Sequence, residues 1–234
     1  MRAPSVRSGA LKSLALAGCR SLSALELCCV ALGALDLSAC VSLSSEALQA
    51  LLPACPVLRT LHLCGCRRLR SLSLQSASLR ELHTSWCSQL RSLHLVCPQL
   101  GALYAYGCMR MSETRLECDA LRLIEMQKCK ALDDDAMPAL AQASNRLQLL
   151  NLTDCQQLQR PRLASEHLLT LHLYNCLQAW SPPRVPPPPK ARARSPRCTL
   201  RRSCAAPWCT ARTSSFSTSP TASPWWSCLW SAPS

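Results

Sequence analysis

The chain has 234 residues, with 26 Lys+Arg against 13 Asp+Glu for a formal net charge of +13, and 18 cysteines. No stretch of about 18 apolar, uncharged residues occurs, so no membrane-spanning helix is expected. The charge is unevenly placed: residues 1–180 carry 18 basic and 13 acidic side chains, whereas residues 181–234 carry 8 basic ones and no acid. Basicity of the whole chain is therefore weak evidence for a nucleic-acid partner.

Residues 1–10 form an N-terminal lead-in. With Arg2, Arg7 and no acid before Glu26 it faintly resembles a targeting peptide. Leu11, Leu14 and Leu16, however, already set an L-x-x-L-x-L register that recurs down the chain. The middle leucine of each triplet, or its substitute, falls at Leu14, Leu25, Leu35, Leu61, Leu72, Leu82, Leu93, Leu103, Thr114, Ile124, Leu150, Pro161 and Leu171. Leu14, Leu35, Leu61, Leu82, Leu103, Ile124, Leu150 and Leu171 are spaced by 21 or 26 residues, and each is followed five residues later by a cysteine. Those cysteines are Cys19, Cys40, Cys66, Cys87, Cys108, Cys129, Cys155 and Cys176.

A period of this length is that of a leucine-rich repeat. The expected fold is an α/β repeat, a solenoid of about eight coils of 21–26 residues over residues 11–180. Each coil has a short parallel strand on the front and a second short strand on the back. Alternation along a strand points the leucines inward and the residues between them outward. The two 26-residue steps replace a back strand by a helix. Residues 42–56 offer Ser44 or Ser45 as N-cap, apolar Ala47, Leu48, Leu51 and Leu52, and stops at Pro53 and Pro56. Residues 132–145 start with Asp133, Asp134 and Asp135, which suit a helix N-terminus. They continue through Ala136, Met137, Pro138 in the first turn, Leu140 and Ala141 to Asn145.

One cysteine per coil reads as a structural ladder and not as disulfide pairs. A small side chain packs where the chain leaves the strand, and its S–H can donate to a carbonyl of the neighbouring coil. Free thiols persist in a reducing compartment, so a cytoplasmic or nuclear location is expected.

The pattern L-x-x-L-x-L-x-x-C, with residues 40–66 ending in Cys55, Pro56 and Leu58 before the next strand, resembles the cysteine-containing leucine-rich repeats of F-box/LRR proteins. The resemblance covers residues 11 to about 178. It implies a protein partner captured as a ubiquitylation substrate by the receptor of a cullin-type ligase. Only ten residues precede Leu11, fewer than an F-box needs, so the expectation is the substrate-binding half without the adaptor-binding half, in a fragment, a truncated product or a relative that works without an F-box. The half-coils of 10–11 residues are also more numerous than the family shows.

A partner is expected on the concave front face. Its central outward column reads Ala15, Asp36, His62, His83, Tyr104, Glu125, Asn151 and His172, and the next reads Ala17, Ser38, Cys64, Ser85, Tyr106, Gln127, Thr153 and Tyr174. From the third coil on, histidines, tyrosines, Glu125 and Gln127 gather there, and tyrosine is a frequent contact residue. A merely solvated polar face is the plain alternative. Trp86 borders the face or packs in the turn. His62, His83 and Cys64 could chelate a metal, but no further ligand stands at zinc-like spacing, so neither metal nor cofactor is expected. The back face carries Glu26, Ser73, His94, Arg115 and Arg162, and Arg67, Arg68, Arg70, Arg80 and Arg91 near the turns are the best candidate for a nucleic-acid or acidic partner, which gives a second reading as a nucleic-acid-associated or scaffold protein. That cluster lacks interleaved aromatics, and scattered surface arginine accounts for it equally well. No phosphate loop, G-x-S-x-G or H-E-x-x-H occurs, so no enzymatic activity is expected. A monomer is expected. Residues 181–234, rich in Pro, Arg and Ser and without glycine, form an expected disordered tail.

Overall fold

The structure, a computed structural model, describes residues 4–143, 145–159, 161 and 166–176. The expected tail at 181–234 and Arg162 lie outside the described residues.

Eight three-residue strands build one long sheet. They are β2 (Ser13–Ala15), β4 (Ala34–Asp36), β5 (Thr60–His62), β7 (Glu81–His83), β9 (Ala102–Tyr104), β11 (Leu123–Glu125), β12 (Leu149–Asn151) and β13 (Thr170–His172). Every neighbouring pair is parallel. Their middle residues Leu14, Leu35, Leu61, Leu82, Leu103, Ile124, Leu150 and Leu171 pair directly, each with the next. The spacing of 21 or 26 residues thus returns the chain to the same position on the sheet.

A second set of strands alternates with these in the sequence. β1 (Ser5–Arg7) pairs with β3 (Glu26–Cys28), and β6 (Ser71–Gln75), β8 (Ser92–Val96) and β10 (Glu113–Glu117) form a three-stranded sheet, also parallel. Two of these strands sit apart from the triplet reading. Ser5–Arg7 is a strand inside the lead-in, and β3 begins one residue after Leu25. Pro161 is in no strand.

The two longer steps hold the helices. α1 (Ser45–Leu51) is capped by Ser44, whose hydroxyl accepts from the Ala47 amide at 3.3 Å. The helix tightens into a 3-10 turn at Leu52–Ala54, where Pro53 has no amide to give. Before α2 (Met137–Gln142), Asp133 caps a 3-10 turn at Asp134–Ala136 by accepting from the Asp135 amide at 3.1 Å, and Pro138 occupies the first turn. α1 packs beside β6 and α2 beside β10. The buried side chains are Leu48 and Leu51 in α1 and Met137 and Leu140 in α2, with Ala143, not Ala141, fully covered behind α2.

The inward residues of both strand sets bury in one cluster. Leu61, Leu82 and Leu103 of the long sheet and Leu72, Leu93 and Leu95 of the short one are each 1% exposed or less. Each such leucine contributes about 2 kcal/mol by leaving water. Ten of the strands are three residues long, too short to hold alone, so the shared interior and the strand-to-strand bonding supply the stability. Among the described residues no helix is long and apolar enough to cross a membrane.

Candidate functional site

The last residue of each long-sheet strand points outward. Strand pairing sets Ala15, Asp36, His62, His83, Tyr104, Glu125, Asn151 and His172 in one unbroken row. Parallel strands stand about 4.8 Å apart, close to the stacking distance of flat rings. The His62 and His83 rings accordingly stack at 4.2 Å between centroids with 21° between planes, and His83 stacks on Tyr104 at 4.4 Å and 10°.

Burial and the neighbouring His62 ring lower the His83 pKa, opposed by Glu81, whose carboxylate lies 3.7 Å from His83 Nε2. Burial raises the Tyr104 hydroxyl, helped by Glu81 and Glu125. Two imidazoles that face each other with nearly parallel planes direct their nitrogens outward, not toward a common ion. Among the described residues no three His, Cys, Asp or Glu side chains gather as metal ligands.

Beyond Tyr104 the row changes character. Glu125 accepts from Asn151 Nδ2 at 3.1 Å and from Gln127 Nε2, and burial raises its pKa against those bonds. Asn151 differs from its neighbours in the row in being buried. It is only 8% exposed, and its Oδ1 accepts from the Thr153 amide at 3.1 Å and from the Thr153 hydroxyl at 2.8 Å. Its side chain is consumed in holding the bend after β12. Asp36 does the same near the other end, accepting from the Ser38 amide at 2.9 Å. His172 is exposed, and so is Tyr174, at 73%.

Tyr106, in the second column, is held from two sides. Trp86 meets it edge-to-face at 4.7 Å, and Lys128 Nζ lies 5.4 Å from its ring centre. Interaction with the Tyr106 side chain raises the Lys128 pKa. Trp86 has φ of 64°, a left-handed backbone that a bulky side chain rarely adopts and that costs about 1–3 kcal/mol. A Cβ on Gly107 would stand 2.7 Å from Trp86 Cε3, so the absence of a side chain there admits the indole.

Trp86 belongs to a residue class that carries no apolar triplet mark. Gly18, Ala39, Gly65, Trp86, Gly107, Lys128, Asp154 and Asn175 all have positive φ, and each immediately precedes a ladder cysteine. The Gly-Cys pairs at 18–19, 65–66 and 107–108, with Asp154 and Asn175, carry the signal, since these residue types tolerate that conformation best. Asn175 Nδ2 also donates to Asp154 Oδ1 at 3.0 Å.

The thiols then turn inward. Cys40 Sγ donates to Leu16 O at 3.2 Å, Cys66 to Leu37 O at 3.2 Å, Cys87 to Leu63 O at 3.1 Å, Cys108 to Thr84 O at 3.1 Å, Cys129 to Ala105 O at 3.3 Å, Cys155 to Met126 O at 3.2 Å and Cys176 to Leu152 O at 2.7 Å. Cys19 departs from the ladder expectation. It is exposed, because no earlier strand of the long sheet covers it. Burial pushes the Cys66 and Cys155 thiols up to about 12, and raises Cys87, Cys108 and Cys129 as well. Such thiols are poor nucleophiles. A second, looser set follows the other strands: Cys29, Cys97 and Cys118 donate to Val6, Leu74 and Leu95 carbonyls at 3.6–3.9 Å.

Comparison with known protein families and with curated proteins gives no match.

Proposed function

We propose that the long and short sheets are the two walls of a leucine-rich-repeat solenoid, and that the protein works by holding another protein on its long-sheet face. The row His62–His83–Tyr104, flanked by Trp86 and Tyr106, carries this reading. It is a set of large, half-buried rings fixed by strand register and by mutual stacking, so little side-chain entropy is lost on contact. Solenoids generally use this strand face for binding. Its resemblance to the repeats of F-box/LRR proteins makes a ubiquitin-ligase substrate the proposed class of partner.

The test is capture by the immobilised chain, read by mass spectrometry. Proteins retained by the wild type and lost from Tyr104→Ala/Tyr106→Ala, with unchanged circular dichroism, support the reading. Identical capture by the two removes it.

A further inference from the structure

Seven arginines and one acid, Glu81, lie between residues 47 and 112, and the fold gathers most of these arginines on one edge. The turns leading from β5 to β6, from β7 to β8 and from β9 to β10 carry Arg67, Arg68, Arg70, Arg91 and Arg110, all exposed. The turns stack in register: the Arg91 amide donates to the Arg70 carbonyl at 2.7 Å, and Ser112 to the Arg91 carbonyl at 2.9 Å. Arg110 Nη1 donates across to Gln89 Oε1 at 2.8 Å, a neutral partner. Among the described residues none of the five is in an ion pair, while Glu81 is turned to His83. Five guanidinium groups thus share an edge about 10 Å long, two repeat spacings. Trp86 and Tyr106 stand on the lip of the same turns, where the long-sheet strands end.

We propose that this edge and lip form one surface for an extended acidic polypeptide segment, its carboxylates on Arg67, Arg68, Arg70, Arg91 and Arg110 and an adjoining apolar side chain against Trp86 and Tyr106. The proposal rests on the reading of this molecule as a protein-recognition solenoid. An extended chain rises about 3.3 Å per residue, so three or four residues span the edge. Arginine grips carboxylates through two parallel hydrogen bonds. A nucleic-acid duplex fits less well, since such binding draws on about 6–10 phosphate contacts and this edge offers five cations. A single strand needs a run of open ring faces for its bases, and here His83 is covered on both sides, by His62 and by Tyr104.

The test is fluorescence anisotropy on the full chain. The probe is a short labelled peptide with consecutive glutamates ahead of a leucine, compared with its glutamine counterpart and with oligothymidine of similar length. The glutamate peptide binds and the glutamine peptide does not. Arg68→Gln/Arg70→Gln/Arg91→Gln weakens binding about tenfold, the sum of three partly exposed charge contacts. The same charge change on the first repeat, Arg7→Gln/Lys12→Gln/Arg20→Gln, leaves affinity within about twofold of the wild type, as remote rim charges do. Equal loss from both triple variants, no binding of the glutamate peptide, or tighter oligothymidine binding that disappears with the edge variant overturns the proposal. If Tyr104→Ala leaves peptide affinity intact while the arginine variant loses it, the acidic-peptide edge stands and only the long-sheet row loses its role.

Discussion

The long sheet runs through eight strands without a break, whereas the second set, in chain order, is a pair of strands, a helix, three strands and a second helix. Both sets are fed by the same chain and share one interior, so the difference comes from what five extra residues allow. In a 21-residue repeat the return path is just long enough for an extended segment. In a 26-residue repeat it closes helical turns, with Ser44 or Asp133 ready to cap them. The long sheet tolerates neither change, because its register fixes the position of every outward side chain. Variation goes to one set of segments and precision to the other.

Alkaline pH should strain this contrast most. Among the described residues ten cysteines have raised pKa values, and seven of them belong to the long-sheet ladder. Unfolded, each thiol ionises near its ordinary value of 9.0, whereas folded Cys66, Cys118 and Cys155 hold their protons to about 12. The unfolded state therefore binds fewer protons in that window, and stability falls by about 1.4 kcal/mol per thiol for each pH unit. The unfolding free energy from urea titrations should fall by several kcal/mol from pH 8 to pH 10, and Cys97→Ala/Cys118→Ala should leave most of that slope in place. A flat profile would mean that the ladder is not buried as described.

Core substitutions sharpen the comparison next. Leu103→Ala, in the middle of the long sheet, should cost about 2–5 kcal/mol in chemical denaturation. Its counterpart in β10, Thr114, is 6% exposed with an Oγ1 that lacks a hydrogen-bond partner among the described residues. Thr114→Val should therefore stabilise by about 1 kcal/mol, removing an unsatisfied hydroxyl at nearly constant volume. A large loss in the long sheet beside a small gain in β10 supports the view that only one of the two sheets is tightly specified.

The smallest effect is an acid one. The lowered His83 pKa means that the unfolded state takes up a proton first as pH falls below about 6.5. Stability should drop between there and the folded value, by less than one thiol contributes at the alkaline end, and His83→Phe should remove that limb while keeping the stack. Glu125, whose pKa is raised, acts in the opposite sense: its unfavourable contribution grows as pH rises through the carboxylate range and is absent below the unfolded value.

The period was readable in the sequence because leucine spacing and inward placement are the same constraint. Once Leu61, Leu82 and Leu103 are in register, His62, His83 and Tyr104 must be neighbours. The helices were readable from their caps and prolines. What escaped follows from facts without a periodic apolar mark. Ser5–Arg7 carries a single Val6 inward, so no triplet announces it. Asn151 occupies an outward position, but its burial comes from the bonds it makes with Thr153 and Glu125. The left-handed residues before each thiol are hidden because Ala39, Trp86 and Lys128 are not residues that conformation favours. The ring stack needs spacing and residue type together, and only coordinates supply orientation.

The thiol bonds of the long sheet all reach in one direction, each to a carbonyl of the preceding repeat. The array is therefore polar, like a zipper with a head. At the head of the described residues Cys19 is exposed, and Leu14 and Leu16 are only partly covered. Breathing should begin there and run inward, so that amide exchange is fastest around Leu14 and slowest in the middle repeats, with the ring-bearing strands among the last to open.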